Sequence, residues 1–257
     1  MSPSTEPRVV ITGIGVVSPF GVGRERFWDS VRDGVSGTRA VTAFDVDGLP
    51  SQVAAFVPPV TIDDAPSVIG GERAGVNGKP RASRADPKRY ARTSLIAVVA
   101  ASEAWHDAGL RVGEPDAGVI IGSGGGGIDV TERQYEAYFT NSWKRVTPYA
   151  IPVSIVGMVS SEISIALRLR GISHVLSCGC TSSTDAIGYA ARMIRAGEAE
   201  VLLTGGADAP VTRGMMLGFA RMRALTTRYN SRPAEASRPF ERDRDGFVLG
   251  EGAWMMA

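Results

Sequence analysis

Apolar and polar positions along this chain follow two alternating periods. Nearly continuous runs of β-branched and small apolar residues predict strands buried on both faces: Arg8–Gly21 ("RVVITGIGVVSPFG"), Ala117–Ser123 ("AGVIIGS"), "SHVLSCG" from Ser173 and "EVLLTGGA" from Glu200. Between them lie stretches of helical spacing: Arg24–Gly34, the Ala-rich Tyr90–Leu110, the apolar Val153–Leu169, and Thr181–Gly197. Gly34, Gly109 and Gly197 stand where helices should stop. Strands alternating with helices predict a layered α/β fold in which helices cover a sheet. Gly48–Arg89 breaks the pattern, with many turn-formers and few periodic apolar positions, and predicts a surface excursion. The stretch "DRDGFVLGEGAWMMA" reads as turn, strand, glycine turn and apolar strand. A sheet edge left open there would be unprotected, so a longer polypeptide or a second chain is expected to complete it.

Composition narrows the function classes. The 257 residues are 44% apolar, enough for a substantial core. With 28 basic and 27 acidic residues the net charge is +1, which gives no electrostatic case for a nucleic-acid partner. No apolar run approaches the ~18 residues of a membrane span, and "MSPSTEPR" has no signal-peptide core. Two cysteines are too few for a disulfide framework, so a reducing cytoplasm is expected.

Both cysteines lie in "SCGCTSSTDAIGYAARMI", Ser177–Ile194, where a strand turns into a helix. Cys178 reads as a packing residue inside the strand. Cys180 falls at the helix start, with Thr181, Ser182 and Ser183 as candidate capping hydroxyls. The free N–H groups and dipole of a helix N-terminus favour an anion, and they can stabilise an oxyanion forming on an acyl group held by the sulfur. Cys180 is therefore a candidate acyl-accepting nucleophile. A metal site is not expected, because C-x-C has no further Cys or His at ligand spacing. No cofactor is implied either.

The stretch "GCTSSTDAIGYAARMIRAGEAEVLLTGGADAP", then "ASRPFERDRDGFVLGEGA", resembles the β-ketoacyl-acyl carrier protein synthases of the thiolase superfamily. Within that family it is similar to the KAS II-type fatty-acid enzymes and the type II polyketide ketosynthases. "VVITGIGVVSPFG", "IGSGGGG" and "TPYAIPVSIVGMVSS" are similar to the same family in the same order, so the likeness spans nearly the whole chain. It implies a thiolase-like fold, α-β-α-β-α when complete, of which residues 1–257 are the N-terminal half. It puts Cys180 on the acylated cysteine, with Gly179 where the family usually has Ala. It also implies acyl and malonyl carrier proteins as partners, and a homodimer or heterodimer in which "EVLLTGGA" pairs with its counterpart. The histidines and lysine that assist decarboxylation belong to "HGT" and "K-x-x-x-GH" motifs that this chain lacks. His106 and His174 fall in neither, and read as structural.

Against the family pattern, Gly125 stands where a bulky gating residue is common and Ala150 where an aromatic often precedes the conserved proline. With Gly179 these remove volume around the expected acyl channel, and Met215 and Phe219 would line it farther along. The expectation is a widened channel suited to long or polyene chains. Arg221, Arg223, Arg228, Arg232 and Arg238 are a candidate surface for acidic carrier proteins.

Three other readings compete. Gly122, Gly124 and Gly127 satisfy G-x-G-x-x-G after a strand, which invites a dinucleotide-binding reading, but no acidic residue ends a strand ~20 residues later and "TERQYEAYF" is not expected to open at once as a helix. A non-catalytic subunit of the chain-length-factor type usually replaces the nucleophile, so retention of Cys180 favours the catalytic form. A cysteine hydrolase would need a base that the chain does not visibly provide.

Overall fold

The structure is a computed structural model describing residues 8–66, 90–114, 116–140 and 143–257. Its main sheet holds β1 (Ile14–Ser18), β2 (Gly21–Val22), β5 (Ala117–Gly122), β6 (Ser173–Leu176), β7 (Val201–Asp208) and β9 (Gly252–Met256), in the order β2-β1-β9-β7-β5-β6. Strands β6, β5 and β7 run parallel, while β9 is antiparallel to both β7 and β1. A small sheet of β3 (Arg39–Ala40), β4 (Val53–Ala55) and β8 (Leu249–Gly250) stands apart from it.

The period-two side-chain rule sorts the central strands into two faces. Val119, Ile121, Leu203 and Met255 join Ile96, Trp105, Ile163 and Leu167, which come from α2 (Arg92–Asp107) and α5 (Met158–Leu167). Ile120 and Leu202 pack instead with Ala186, Ala190 and Met193 of α6 (Ser182–Arg195). The sheet thus lies between two helical layers. Helix α2 comes so near β1 that a Cβ on Gly15 would stand 2.0 Å from the Ala100 carbonyl oxygen. Its Glu103 accepts from the Val16 amide at 2.8 Å and its Asp107 from the Ile14 amide at 3.0 Å.

Glu251, between β8 and β9, is 5% exposed and joins the two sheets to α2. It accepts from Val57 N at 3.0 Å and Arg92 Nε at 2.9 Å, while its own amide donates to Ala55 O at 2.8 Å. A buried carboxylate with these donors is compensated, and removing one partner would leave an unpaired charge.

Several expectations change. The first strand begins only at Ile14, and Val10 and Ile11 before it are each 60% exposed. The apolar stretch after Val153 is not one helix: α4 (Ala150–Ser154) ends, the chain turns at Ile155–Gly157, and α5 follows. The excursion Gly48–Arg89 contains the buried strand β4, and its residues 67–89 lie outside those described. Strand β7, "VLLTGGAD", cannot pair across a dimer, because β5 and β9 occupy both its edges. The sheet edge beyond β5 is β6. Strand β9 is likewise interior, held between β1 and β7.

The loop before β8 is clipped by Asp245, which accepts from the Thr226 hydroxyl, Thr227 N (2.9 Å) and Arg228 N (3.1 Å). Desolvation alone would raise its pKa, but these bonds and the Arg228 guanidinium outweigh it and bring the carboxyl down to about 2. A depressed carboxylate stabilises the fold fully above its unfolded value of ~3.9 and loses that contribution as pH falls through the folded one. Calorimetry of Asp245→Asn against the native protein should therefore show a constant stability deficit from pH 5 to 8, shrinking between about pH 4 and pH 2. A deficit that persists undiminished at pH 2 contradicts this assignment.

Candidate functional site

The two cysteines occupy an elbow between β6 and α6. Strand β6 ends at Leu176, a 3-10 turn spans Gly179–Thr181, and α6 begins at Ser182. Cys178 therefore lies outside the strand and is exposed, contrary to the expectation that it packs in the core. The strand stops early because the Cys178 amide bonds not to a neighbouring strand but to Ser182 Oγ, at 2.9 Å. Cys180 is exposed as well.

Each part of the elbow has a local cause. Gly179 has φ +70 with open space around its missing Cβ, so the glycine supplies a left-handed turn. Any other residue would pay about 1–2 kcal/mol there. Of the three expected hydroxyls, Thr181 sits at the N-cap without a capping bond. The lock is Ser182, 2% exposed, whose Oγ accepts from Cys178 and donates to Gly179 O at 2.6 Å. Thr181 Oγ1 donates to Asp185 at 3.0 Å. Partial desolvation, then the hydrogen bond and charge of Asp185, hold the Cys178 thiol above its ordinary pKa. That direction disfavours the thiolate at Cys178.

Helix α6 reaches this position because the strands beneath it are bare. Gly122 of β5 and Gly206 of β7 are register partners. A Cβ on Gly122 would stand 2.2 Å from the Ser182 carbonyl carbon, and one on Gly206 would stand 1.7 Å from Ser183 Oγ. Sequence reading missed this floor, since nothing local says that two glycines 84 positions apart in the chain become neighbours.

The glycine loop after β5 lies beside the elbow. A Cβ on Gly124 would be 3.7 Å from Gly179 O. Asp208, at the end of β7, accepts from Gly124 N (2.9 Å), Gly125 N (2.8 Å) and Ser123 Oγ (3.1 Å). Helix α3 (Ile128–Thr140) opens directly after Gly127, contrary to expectation. The dinucleotide reading gains nothing from this, because the amides a phosphate would need are already bonded to Asp208.

It is Gly124, next to Gly125, that meets Gly179, while a Cβ on Gly125 would face Asp208 and Ile128. Ala150 opens α4 and is half-buried. Met215 and Phe219, on α7 (Arg213–Arg221), pack with Val41, Leu49, Ala54 and Leu249 beneath the small sheet, and Phe219 meets the Phe247 ring at 5.3 Å. His106 and His174 are exposed, on the last turn of α2 and on β6. Three of the five candidate arginines are paired: Arg228 with Asp245, Arg232 with Glu235, and Arg238 with Glu235 and Glu241. Arg221 and Arg223 are exposed. Among the described residues no group of three His, Cys, Asp or Glu is gathered as a metal site, and no helix is long and apolar enough to cross a membrane.

A mixed sheet between helical layers, with a thiol at the start of the helix that covers one face, is the arrangement of thiolase-type proteins. The family model described as "Beta-ketoacyl synthase, N-terminal domain" matches residues 6–256, and the chain belongs to that family. It is 38% identical over 252 residues to the 3-oxoacyl-[acyl-carrier-protein] synthase 2 of Coxiella burnetii, covering 96% of this chain and 56% of that protein. The corresponding protein of Rhizobium meliloti is 35% identical over 250 residues, with 96% and 57% covered. The chain therefore spans about half the length of these relatives. Among solved structures it is similar to the ishigamide ketosynthase/chain length factor, with a TM-score of 0.82, 29% identity, and 98% of this chain and 58% of that chain covered. A β-ketoacyl synthase from Burkholderia phymatum gives 0.79 and 27%, with 97% and 58% covered.

Gly122→Ala should push the first turn of α6 off the sheet and cost about 3 kcal/mol in urea unfolding, the upper range for overpacking a close contact. A loss under about 1 kcal/mol would mean that α6 does not rest on bare backbone here.

Proposed function

We propose that this chain carries the nucleophile of a β-ketoacyl synthase and that Cys180 is the residue that holds the acyl group. The observation that carries this is the elbow: an exposed thiol on a left-handed glycine turn at the start of the 14-residue helix α6, in a chain of this family. The Cys180 sulfur attacks the carbonyl carbon of an acyl-carrier thioester; the new C–S bond forms as the carrier thiolate leaves. Amide donors at the start of α6 face charge that develops on the carbonyl oxygen. Malonyl-carrier then loses carbon dioxide, and its enolate carbon attacks the acyl group, forming the C–C bond and releasing Cys180. The groups that assist decarboxylation belong, on the family resemblance, to the portion of the relatives that this chain does not span.

The partners in this reading are acyl carrier proteins, met in part by Arg221 and Arg223, and a second ketosynthase-like subunit. The open edge of β6 and the exposed aromatics Tyr135, Tyr138, Phe139 and Trp143 support such an assembly. Incubation of the full-length protein with acyl-carrier thioester should add one acyl mass per Cys180, absent in Cys180→Ala, and native mass spectrometry of the same sample should show a dimer. An unmodified Cys180 would reject the catalytic reading in favour of a non-catalytic subunit.

We further propose that the channel accepts long or polyene chains because Gly125 leaves its mouth ungated. A Cβ there would meet Asp208 Oδ1 and Ile128 at ordinary contact distances of 3.5 Å, so a side chain can be added without disturbing the loop. Gly125→Met should lower the loading of long relative to short acyl groups roughly tenfold, the scale of a filled apolar pocket. Equal loading of both before and after the substitution would dismiss the ungated channel.

A further inference from the structure

Four consecutive glycines, Gly124–Gly127, have no side chains with which to hold a conformation, and glycine is the residue with the most backbone freedom to lose. The locks must come from outside the loop. On one side the chain backs onto the α4–α5 turn: Gly127 N donates to Ser154 O at 3.2 Å, and a Cβ on Gly126 would lie 2.6 Å from Val156 Cα. On the other side the fixed point is a single carboxylate. Asp208 takes both the Gly124 and Gly125 amides and the Ser123 hydroxyl, while Ser123 Oγ accepts from Gly126 N at 3.1 Å. The carboxylate and the Gly179 carbonyl both face the missing Cβ of Gly124, at 3.6 and 3.7 Å, so the clamped loop meets the nucleophile turn at Gly124.

Resting on the reading of Cys180 as the acyl-carrying thiol, we propose that Asp208 is a positioning residue that sets which acyl chains reach it, by clamping the glycine loop at Gly124 and Gly125. Strand β7 pairs with β5 as far as Gly206 and with β9 as far as Asp208 itself, so the carboxylate is held on a rigid element. Hydrogen bonds from amides to a charged acceptor are the strong ones. With the charge gone, the loop at Gly125 relaxes and the space beside the elbow is no longer of one shape. The nucleophile turn, locked separately through Ser182, stays in place.

The test compares the full-length native protein, Asp208→Asn and Ser123→Ala in loading of one long and one short acyl-carrier thioester, read by mass at Cys180, with iodoacetamide alkylation of Cys180 as a second readout. Asp208→Asn keeps the shape but places an amide against amides; Ser123→Ala removes the bridge to Gly126 and serves if the first variant does not fold. The long-to-short loading ratio should change roughly tenfold in Asp208→Asn and in the same direction in Ser123→Ala, with the alkylation rate unchanged, as expected for losing charge-assisted bonds at one loop. A ratio within about twofold of native in both variants, well below that expectation, overturns the proposal, as does an equal loss for both chain lengths. Absence of any acyl group on native Cys180 instead overturns the reading beneath it.

Discussion

The first turn of α6 touches the sheet backbone itself. Gly122 and Gly206 face each other across β5 and β7, and where they meet there is no side chain to hold a helix away. Everything at the elbow follows from that seat. With α6 lowered onto the strands, Ile120 and Leu202 meet Ala186 and Ala190, small residues that suit a helix held so close. The chain leaving β6 must then rise onto a helix almost in contact with the sheet, which it does through the left-handed Gly179 and the doubly bonded Ser182. Cys180, on that turn, is exposed.

Glycine has a second use beside the first, with an opposite problem. In the floor it removes bulk and the strands supply rigidity. In the loop after β5 it allows close approach to the α4–α5 turn, but rigidity must be borrowed from Asp208, Ser123 and Ser154. The break between α4 and α5 belongs to the same arrangement. The Ser154 carbonyl serves Gly127, and the Val156 backbone lies against Gly126. A helix continuing through Ile155 would not present those groups to the loop.

Long periodic elements were legible in the sequence. Helices α2 and α6 and strands β5 and β7 carry enough buried positions, and glycine stops in the right places, that local pattern and tertiary role agree. The short strands β3, β4 and β8 were not, because two or three residues carry no period and their pairing joins distant parts of the chain. The order of strands was equally hidden: "VLLTGGAD" reads as a strand, but nothing in it tells a central strand from an edge. At the elbow, the turn position of Cys180 was legible from the strand-to-helix pattern, whereas Cys178 was misplaced because apolar spacing does not reveal where a backbone amide leaves the ladder for Ser182. Asp208, Ser123 and the glycine floor act through neighbours far off in sequence, which is why no local motif announced them.

Strand β9 has one more consequence. It lies between β1 and β7 and pairs along both sides, Ile14 with Met256 and Thr204 with Met256. The early hairpin of β1 and β2 and the later parallel group of β5, β6 and β7 therefore share no sheet until β9 arrives. Contacts that close so long a stretch of chain carry a loop entropy that must be met before they reward the fold, and they are slow to form. On a ribosome the two groups would wait, each with an open flank, until residues near 256 emerge and β9 joins them into one sheet.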